Sequence, residues 1–227
     1  MSVTADGKIA TANRRVSSFG SAEDREHLLE LRATADAVMC GARTVDLNEI
    51  TMGPGPERFR RLRMRRGLTP YNLRVIVSGS GSIDPAADLF RHRFSPIIAL
   101  VSRRAGARAL KRLLAVADAV CICGDQTIDF SLALAWLRAR WGVKRLLCEG
   151  GGALNAALFT ARLVNELHLT ICPFVFGGRD APTFAHGVGF STLADCARLR
   201  LLSHRYVGDE AFVVYRVLAH HHHKLAS

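Results

Sequence analysis

The 227-residue chain carries 49% apolar and 22% charged residues, the balance of a folded globular protein. At this length it can bury a core without a disulfide or metal staple. Its 31 lysines and arginines against 20 aspartates and glutamates leave a net charge of +11, which suits nucleic acid, a phosphorylated small molecule or a cofactor phosphate equally well.

No apolar run approaches the roughly 18 residues of a membrane span. The opening Met1 to Lys8 has no basic segment followed by an apolar one, so no secretory signal is expected. In chain order, Ser21-Ala22-Glu23-Asp24 reads as a helix start, with a hydroxyl to cap free N–H groups and acids at the positive helix end. Leu28, Leu31 and Ala35 follow at helical spacing, and Asp36 to Gly41 reads as a short buried strand. Residues 47–70 contain Gly53-Pro54-Gly55-Pro56 and a basic run at 58–66. They predict a long functional loop with a helical turn or more in its basic half.

Further strands are expected at 73–77, 97–101, 119–123, 144–148, 166–176, 199–206 and 211–217. Helices are expected at 105–115, at 153–161, and where Phe130, Leu134, Leu137 and Trp141 mark a buried face. Strands alternating with helices imply an α/β fold with a mostly parallel sheet and helices on both faces. The last two strands have no helical pattern between them, which implies an antiparallel edge. No repeat or linker divides the chain, so one domain over 1–218 is expected. His220 to His223 with Lys224 to Ser227 read as an appended tag or disordered tail. Cys40, Cys121, Cys123, Cys148, Cys172 and Cys196 form no C-x-x-C pair and read as buried free thiols of a cytoplasmic protein.

The strongest local signal is Arg145 to Asn155, where a strand runs into Glu149-Gly150-Gly151-Gly152 and a helix begins. Glycines allow close backbone approach, and a helix N-terminus offers free N–H groups with partial positive charge, a combination that suits a pyrophosphate. The competing reading is a turn needing glycine only for its geometry. Glu149 is placed to hydrogen-bond a substrate amine or hydroxyl. Ser78-Gly79-Ser80-Gly81-Ser82 follows a strand and could hold a cofactor 2′-phosphate with help from Arg103 or Arg104; a flexible turn is the alternative. Gly41-Ala42-Arg43-Thr44 could place the Thr44 hydroxyl against a cofactor, or Thr44 caps a helix. Asp6-Gly7-Lys8 reads as a turn. The 58–66 run has Phe59 as its one aromatic, which favours a solvated basic helix over a nucleic-acid surface. Nucleophile triads, zinc motifs and a Walker lysine motif are absent.

The order of these signals resembles the C-terminal reductase domain of riboflavin biosynthesis, in the dihydrofolate-reductase-like fold, over about residues 1–217. The resemblance rests on Asp6-Gly7-Lys8-Ile9-Ala10, Leu31-Arg32-Ala33, Asp36-Ala37-Val38 with Gly41 and Thr44, Leu73 to Ser78, Glu149-Gly150-Gly151, Leu163 to Leu167, Pro173 and Gly177-Gly178. It implies NADPH as hydride donor and a pyrimidine ribosylamine phosphate as substrate, with no metal. Carried over by position, Ser18, Thr44, Asn48, Ser78 and Gly150, Gly151, Gly152, Ala153 and Leu154 would contact the cofactor. Arg32 and Glu149 would face the substrate, Arg32 pairing with its phosphate and Glu149 acting as the catalytic carboxylate.

The resemblance also implies a homodimer and a cis peptide at Gly150-Gly151. The chain departs from the family at 45–53, where an aspartate that contacts cofactor is replaced by Asn48 and a substrate-binding arginine is missing. Arg58 or Arg60 stand near enough in sequence to substitute. It departs also at its start, where little chain precedes Val3 to form the first strand. Two other readings stay open: a same-fold NADPH reductase for a pterin or dihydrofolate, with Asp6, Asp36 or Glu149 as its ring-pairing carboxylate, and a basic nucleic-acid-binding protein without catalysis.

Overall fold

The structure, a computed structural model, describes residues 1–15, 18–47 and 50–219. Asn48 and the 220–227 tail lie outside the described residues. In chain order the elements are β1 (Ser2–Thr4), α1 (Ala22–Arg32), β2 (Ala37–Gly41), α2 (Ala42–Leu47), α3 (Glu57–Arg65), β3 (Leu73–Val77), α4 (Asp88–Arg91) and β4 (Ile97–Val101). Then follow α5 (Ala107–Val116), β5 (Ala119–Ile122), α6 (Phe130–Trp141), β6 (Leu146–Cys148), α7 (Gly152–Thr160), β7 (Glu166–Cys172), β8 (Leu199–Val207) and β9 (Glu210–Val217). The chain divides into two compact units, Arg25–Leu154 and the remainder.

The Arg25–Leu154 unit holds a five-stranded sheet of order β5-β4-β3-β2-β6, every neighbouring pair parallel. Parallel strands need a crossover, and α3, α4, α5 and α6 lie on the connections between them. Strands covered on both faces read as continuous apolar runs rather than alternating ones. Ile97–Val101 is buried at all five positions and Ala37–Cys40 at all four. Val38, Cys40, Ile76, Ala99 and Val101 pack with Met52, Leu89, Phe90 and Leu113 into one core. Asp129 caps α6 by accepting the Leu132 amide at 3.0 Å, and left-handed Gly142 ends the helix.

Two arginines lie fully inside this unit and form no ion pair among the described residues. Arg74, on β3, stands 4.1 Å over the Phe94 ring and donates to the Leu89 and Ser95 carbonyls at 3.2 and 2.5 Å. Burial, with Arg93 adding to it, pulls its guanidinium down to about 10 against the pull of Asp118. Arg63, in α3, donates to the carbonyls of Arg32 and Ala35, each at 2.6 Å, and of Thr69 at 2.9 Å. It therefore satisfies orphan carbonyls where α1 ends. The basic 58–66 run is expected to be a solvated helix, and at Arg63 that expectation is corrected: Phe59, one turn earlier on the same face, is buried with it.

The second unit holds a four-stranded sheet of order β1-β7-β9-β8. β1 runs parallel to β7, with Val3 opposite Ile171, and β9 pairs antiparallel with β7 and β8. The β8–β9 turn is the two residues Gly208 and Asp209, with Gly208 at φ +57°, the first-position glycine of a type II′ hairpin. The expected central sheet is thus seen as a parallel sheet and a mixed one, with the antiparallel edge where the sequence places it. The first strand, for which little chain was expected, is present as three residues. Ser21 caps α1 as read, accepting the Asp24 amide at 3.1 Å, and the buried Glu210 carboxylate in turn accepts the Ser21 amide and hydroxyl at 2.9 and 2.5 Å. The six cysteines are free, four of them buried. No described helix is long and apolar enough to cross a membrane.

Candidate active site

In the parallel sheet β2, β3, β4 and β5 lie side by side in chain order, whereas β6 returns to the other side of β2. The connections therefore part at the carboxyl ends of β2 and β6. In open α/β sheets that switch point is where a crevice forms and ligands bind. The two segments singled out in the sequence meet there. Gly41, ending β2, donates its amide to the Gly150 carbonyl at 3.1 Å. A Cβ built at Gly151 would lie 3.5 Å from the Thr44 hydroxyl.

Gly150 and Gly151 have φ of +84° and +69°, a region that most side chains rarely enter. All described peptides are trans, so the cis bond expected at Gly150-Gly151 is corrected: two left-handed glycines in succession turn the chain there. Helix α7 starts at Gly152, and the N–H groups of its first turn have no acceptor within the helix. Gly152 and Leu154 are buried and Ala153 is exposed, so this turn offers backbone rather than side chains. Together these features fit a phosphate or pyrophosphate group.

Glu149 immediately precedes the turn. Its amide donates to the Met39 carbonyl at 2.8 Å, and its carboxylate accepts Arg32 Nε at 2.5 Å and Nη2 at 2.6 Å. Arg32 Nη1 donates to the Gly53 carbonyl at 2.7 Å. Both side chains are 11% exposed. Burial works against the Arg32 cation, but the charge and hydrogen bonds of Glu149 outweigh it, holding the guanidinium above its ordinary value. Burial likewise pushes the neighbouring Cys148 thiol up to about 12, which keeps it protonated.

Ser78 follows β3, is buried, and donates its hydroxyl to the Ser82 carbonyl at 3.3 Å, closing the serine-glycine turn on itself. That turn is tied to the end of β4 by the Ser102 hydroxyl, which donates to the Gly79 carbonyl at 2.7 Å. Asp46 of α2 accepts the Asp84 amide just beyond it at 3.1 Å. Arg103 and Arg104 follow Ser102, with Arg103 3.2 Å from Asp125 in an exposed pair. Arg58 pairs with Glu26, and Arg60 donates to the Tyr71 hydroxyl at 3.1 Å.

In the other unit, Ser18 is exposed. Asp6 sits at the carboxyl end of β1, where the Thr4 hydroxyl first, and then the amides of Gly177 and Phe176, hold its carboxyl below the usual range against the opposing effect of burial. Asp36, in the first unit, accepts the amides of Lys144 and Arg145 at 2.8 and 2.7 Å. All three carboxylates that a pterin ring would pair with are thus engaged within the protein. The short helix α2 that carries Thr44 and Asp46 is not visible in the sequence, because six residues are too few to show a helical period.

A parallel α/β sheet joined to a mixed sheet with an antiparallel edge is an architecture of the dihydrofolate-reductase-like class. The chain belongs to the RibD C-terminal domain family, whose model matches residues 1–213. It is 32% identical over 222 residues, 95% of this chain and 94% of the other, to 2,5-diamino-6-ribosylamino-4(3H)-pyrimidinone 5′-phosphate reductase of Methanothermobacter thermautotrophicus. Against the Aquifex aeolicus protein of the same description the identity is 28% over 220 residues, 95% of this chain and 93% of that one. Among solved structures, a pyrimidine reductase-like protein from Corynebacterium diphtheriae superposes with a TM-score of 0.77 at 22% identity, covering 96% of this chain and 90% of that one. A deaminase/reductase from Thermotoga maritima gives a TM-score of 0.71 at 16% identity, with 96% of this chain matching 55% of that one. At these identities the structural likeness establishes the fold.

Proposed function

We propose that this chain is an NADPH-dependent reductase of riboflavin biosynthesis that converts the ribosylamino side chain of a pyrimidine 5′-phosphate to ribitylamino. The observation that carries the reading is the paired left-handed glycines at the head of α7, set at the switch point of the parallel sheet. The relatives' shared description, over nearly their full length, supports the substrate class.

When bound, NADPH supplies a hydride to C1′ of the ring-opened sugar imine, and a proton completes the amine. The first-turn amides of Gly152, Ala153 and Leu154, with Gly150 and Gly151, receive the pyrophosphate. Thr44, Ser78, Ser18 and Asn48 are the further cofactor positions that the resemblance supplies. Glu149 faces the substrate as the catalytic carboxylate, acting by orienting an amine or hydroxyl of the pyrimidine ribosylamine. The same reading puts the protein in the cytoplasm as a homodimer.

Fluorescence titration tests the cofactor directly. NADPH is expected to bind at least about tenfold more tightly than NADH, a difference of roughly 1.4 kcal/mol that one phosphate contact can supply. Equal, weak binding of both would reject the cofactor assignment. Thr44→Val removes one hydroxyl without changing the side chain's shape and is expected to raise the Kd for NADPH about three- to tenfold with the fold intact, the worth of one hydrogen bond. An unaltered Kd would leave Thr44 as a helix residue only.

A further inference from the structure

We propose that Ser102 is a positioning residue for cofactor choice, holding the turn after β3 in the shape that receives the 2′-phosphate by which NADPH differs from NADH; this rests on the reductase reading above.

β3 and β4 are neighbours in the parallel sheet, and each runs at its carboxyl end into a buried serine, Ser78 and Ser102. Beyond Ser78 the chain turns at once. Most amides of the turn are used within the protein: Ser78 donates to the Leu100 carbonyl and Gly81 to the Ser78 carbonyl, each at 3.0 Å, Ile83 to the Gly81 carbonyl at 3.1 Å, and Ser82 to the Ser80 hydroxyl at 3.4 Å. Gly79 and Ser80 are the exceptions. Both are half-buried, and their amides find no acceptor among the described residues. Two successive free amides on a turn make a concavity for an anion. The Ser80 hydroxyl, an acceptor for Ser82, keeps its own proton to donate to the same ligand.

Ser102 aims these groups. Fully buried, it donates its hydroxyl to the Gly79 carbonyl at 2.7 Å, and its amide reaches the same oxygen at 3.2 Å. The Gly79 carbonyl and the Ser80 N–H belong to one peptide unit, and in a trans peptide they point in opposite directions. Drawing the carbonyl toward Ser102 therefore turns the Ser80 N–H away from it. Ser102 is itself fixed from the other side, because the next two amides, of Arg103 and Arg104, donate to the Gly124 and Asp125 carbonyls beyond β5 at 2.9 and 3.1 Å. The turn has no room to retreat: a Cβ built at Gly81 would meet the Ala105 and Ala109 side chains at 3.0 and 3.2 Å.

The test is titration of the full-length variants with NADPH and with NADH, beside thermal unfolding. Ser102→Ala removes the hydroxyl and orphans no polar group. The Gly79 carbonyl keeps the residue 102 amide, and the Arg104 amide, 3.3 Å from the Ser102 hydroxyl, keeps the Asp125 carbonyl. The variant is expected to melt within a few degrees of the wild type. Its Kd for NADPH should rise about three- to tenfold and its Kd for NADH less than about twofold. Ser102→Cys puts a weaker donor in the same place. It decides the matter if the alanine variant does not fold, with an expected fall in selectivity of about threefold.

Equal rises in both Kd values would mean that Ser102 supports the fold alone, and that result overturns the proposal. Wild-type selectivity in both variants overturns it also. A wild type that binds neither cofactor, or both equally, fails the cofactor assignment first. A wild type that prefers NADPH, with variants that prefer it as strongly, fails the role of Ser102 and leaves the reductase reading standing.

Discussion

Gly151→Asp is expected to weaken NADPH binding by at least about a hundredfold while leaving the melting temperature within a few degrees of the wild type. Gly151 has φ +69°, and aspartate and asparagine are the residues other than glycine that occasionally enter this left-handed region. A Cβ there would meet the Thr44 hydroxyl at 3.5 Å, an ordinary contact. The substitution therefore meets no clash with its nearest neighbour, and its cost is the strain of a side chain at positive φ. What changes is the charge: a carboxylate would lie beside the first-turn amides of α7, where it is attracted to the same partial positive charge that a phosphate uses.

It would then both occupy those donors and repel the incoming anion. Two like charges about 4 Å apart near a protein surface repel by roughly 4 kcal/mol before screening, and half of that already exceeds a twentyfold loss. Gly151→Asn is the control, with the same shape, the same tolerance for positive φ and no charge. It should lose about tenfold or less through the occupied donors alone. Titration of the two proteins with NADPH separates charge from shape. Equal affinities for the Asp and Asn variants would show that no phosphate lies at this turn.

The parts of the fold that were legible in the sequence share one property, which is that local sequence alone decides them. Leu73–Val77, Ile97–Val101 and Phe130–Trp141 lie where the apolar runs put them, since each is bounded by residues that end it, such as Pro96 and Ser102 around β4 or Asp129 and Gly142 around α6. The runs that were misjudged in length fail for equally local reasons. β7 was expected to continue to Phe176, but Pro173 lacks an amide for the ladder and the Phe174 amide turns back to the Cys172 carbonyl at 2.8 Å. Helices α2 and α4, six and four residues long, carry no period to read.

The site was legible as a set of segments and not as a geometry. Glu149 and the glycine turn announce themselves, and so does Thr44 after Gly41. That Arg32 reaches Glu149, 117 residues away, is a consequence of the order β3-β2-β6, which no single local window contains. Sequence placed Arg32 and Glu149 separately against the substrate, and the structure pairs the two with each other. The burial of Arg63 was hidden in the same way. A run of basic residues reads as a solvated face, and the clue against it was Phe59 four positions earlier, on the side of α3 that turns inward.

Arg63→Met is expected to destabilise the protein by about 3 kcal/mol and to lower the melting temperature by roughly 6–12 °C, the largest stability effect of any single change in the basic run. Methionine fills a similar volume, so no large cavity opens. What is lost is the donor for three carbonyls: Arg32 and Ala35 at 2.6 Å and Thr69 at 2.9 Å. A hydrogen bond to a charged donor contributes roughly 1.5–3 kcal/mol, and a buried carbonyl left without a partner costs about 1–3 kcal/mol. Against this stands the relief of removing a cation from the interior, where burial already pulls the Arg63 guanidinium down from its ordinary value despite the pull of Asp36. The balance stays unfavourable because the carbonyls remain where α1 ends, and water has no room to replace a side chain that is fully buried.

The neighbouring Arg61→Met removes an exposed ion pair with Glu57 at 3.7 Å and should change stability by less than about 0.5 kcal/mol. A melting curve for Arg63→Met that coincides with that of Arg61→Met would mean the interior cation is as costly as its three hydrogen bonds are favourable, leaving α1 to be held by packing alone. If instead Arg63→Met melts early, the three hydrogen bonds outweigh the cost of the interior cation and hold the end of α1.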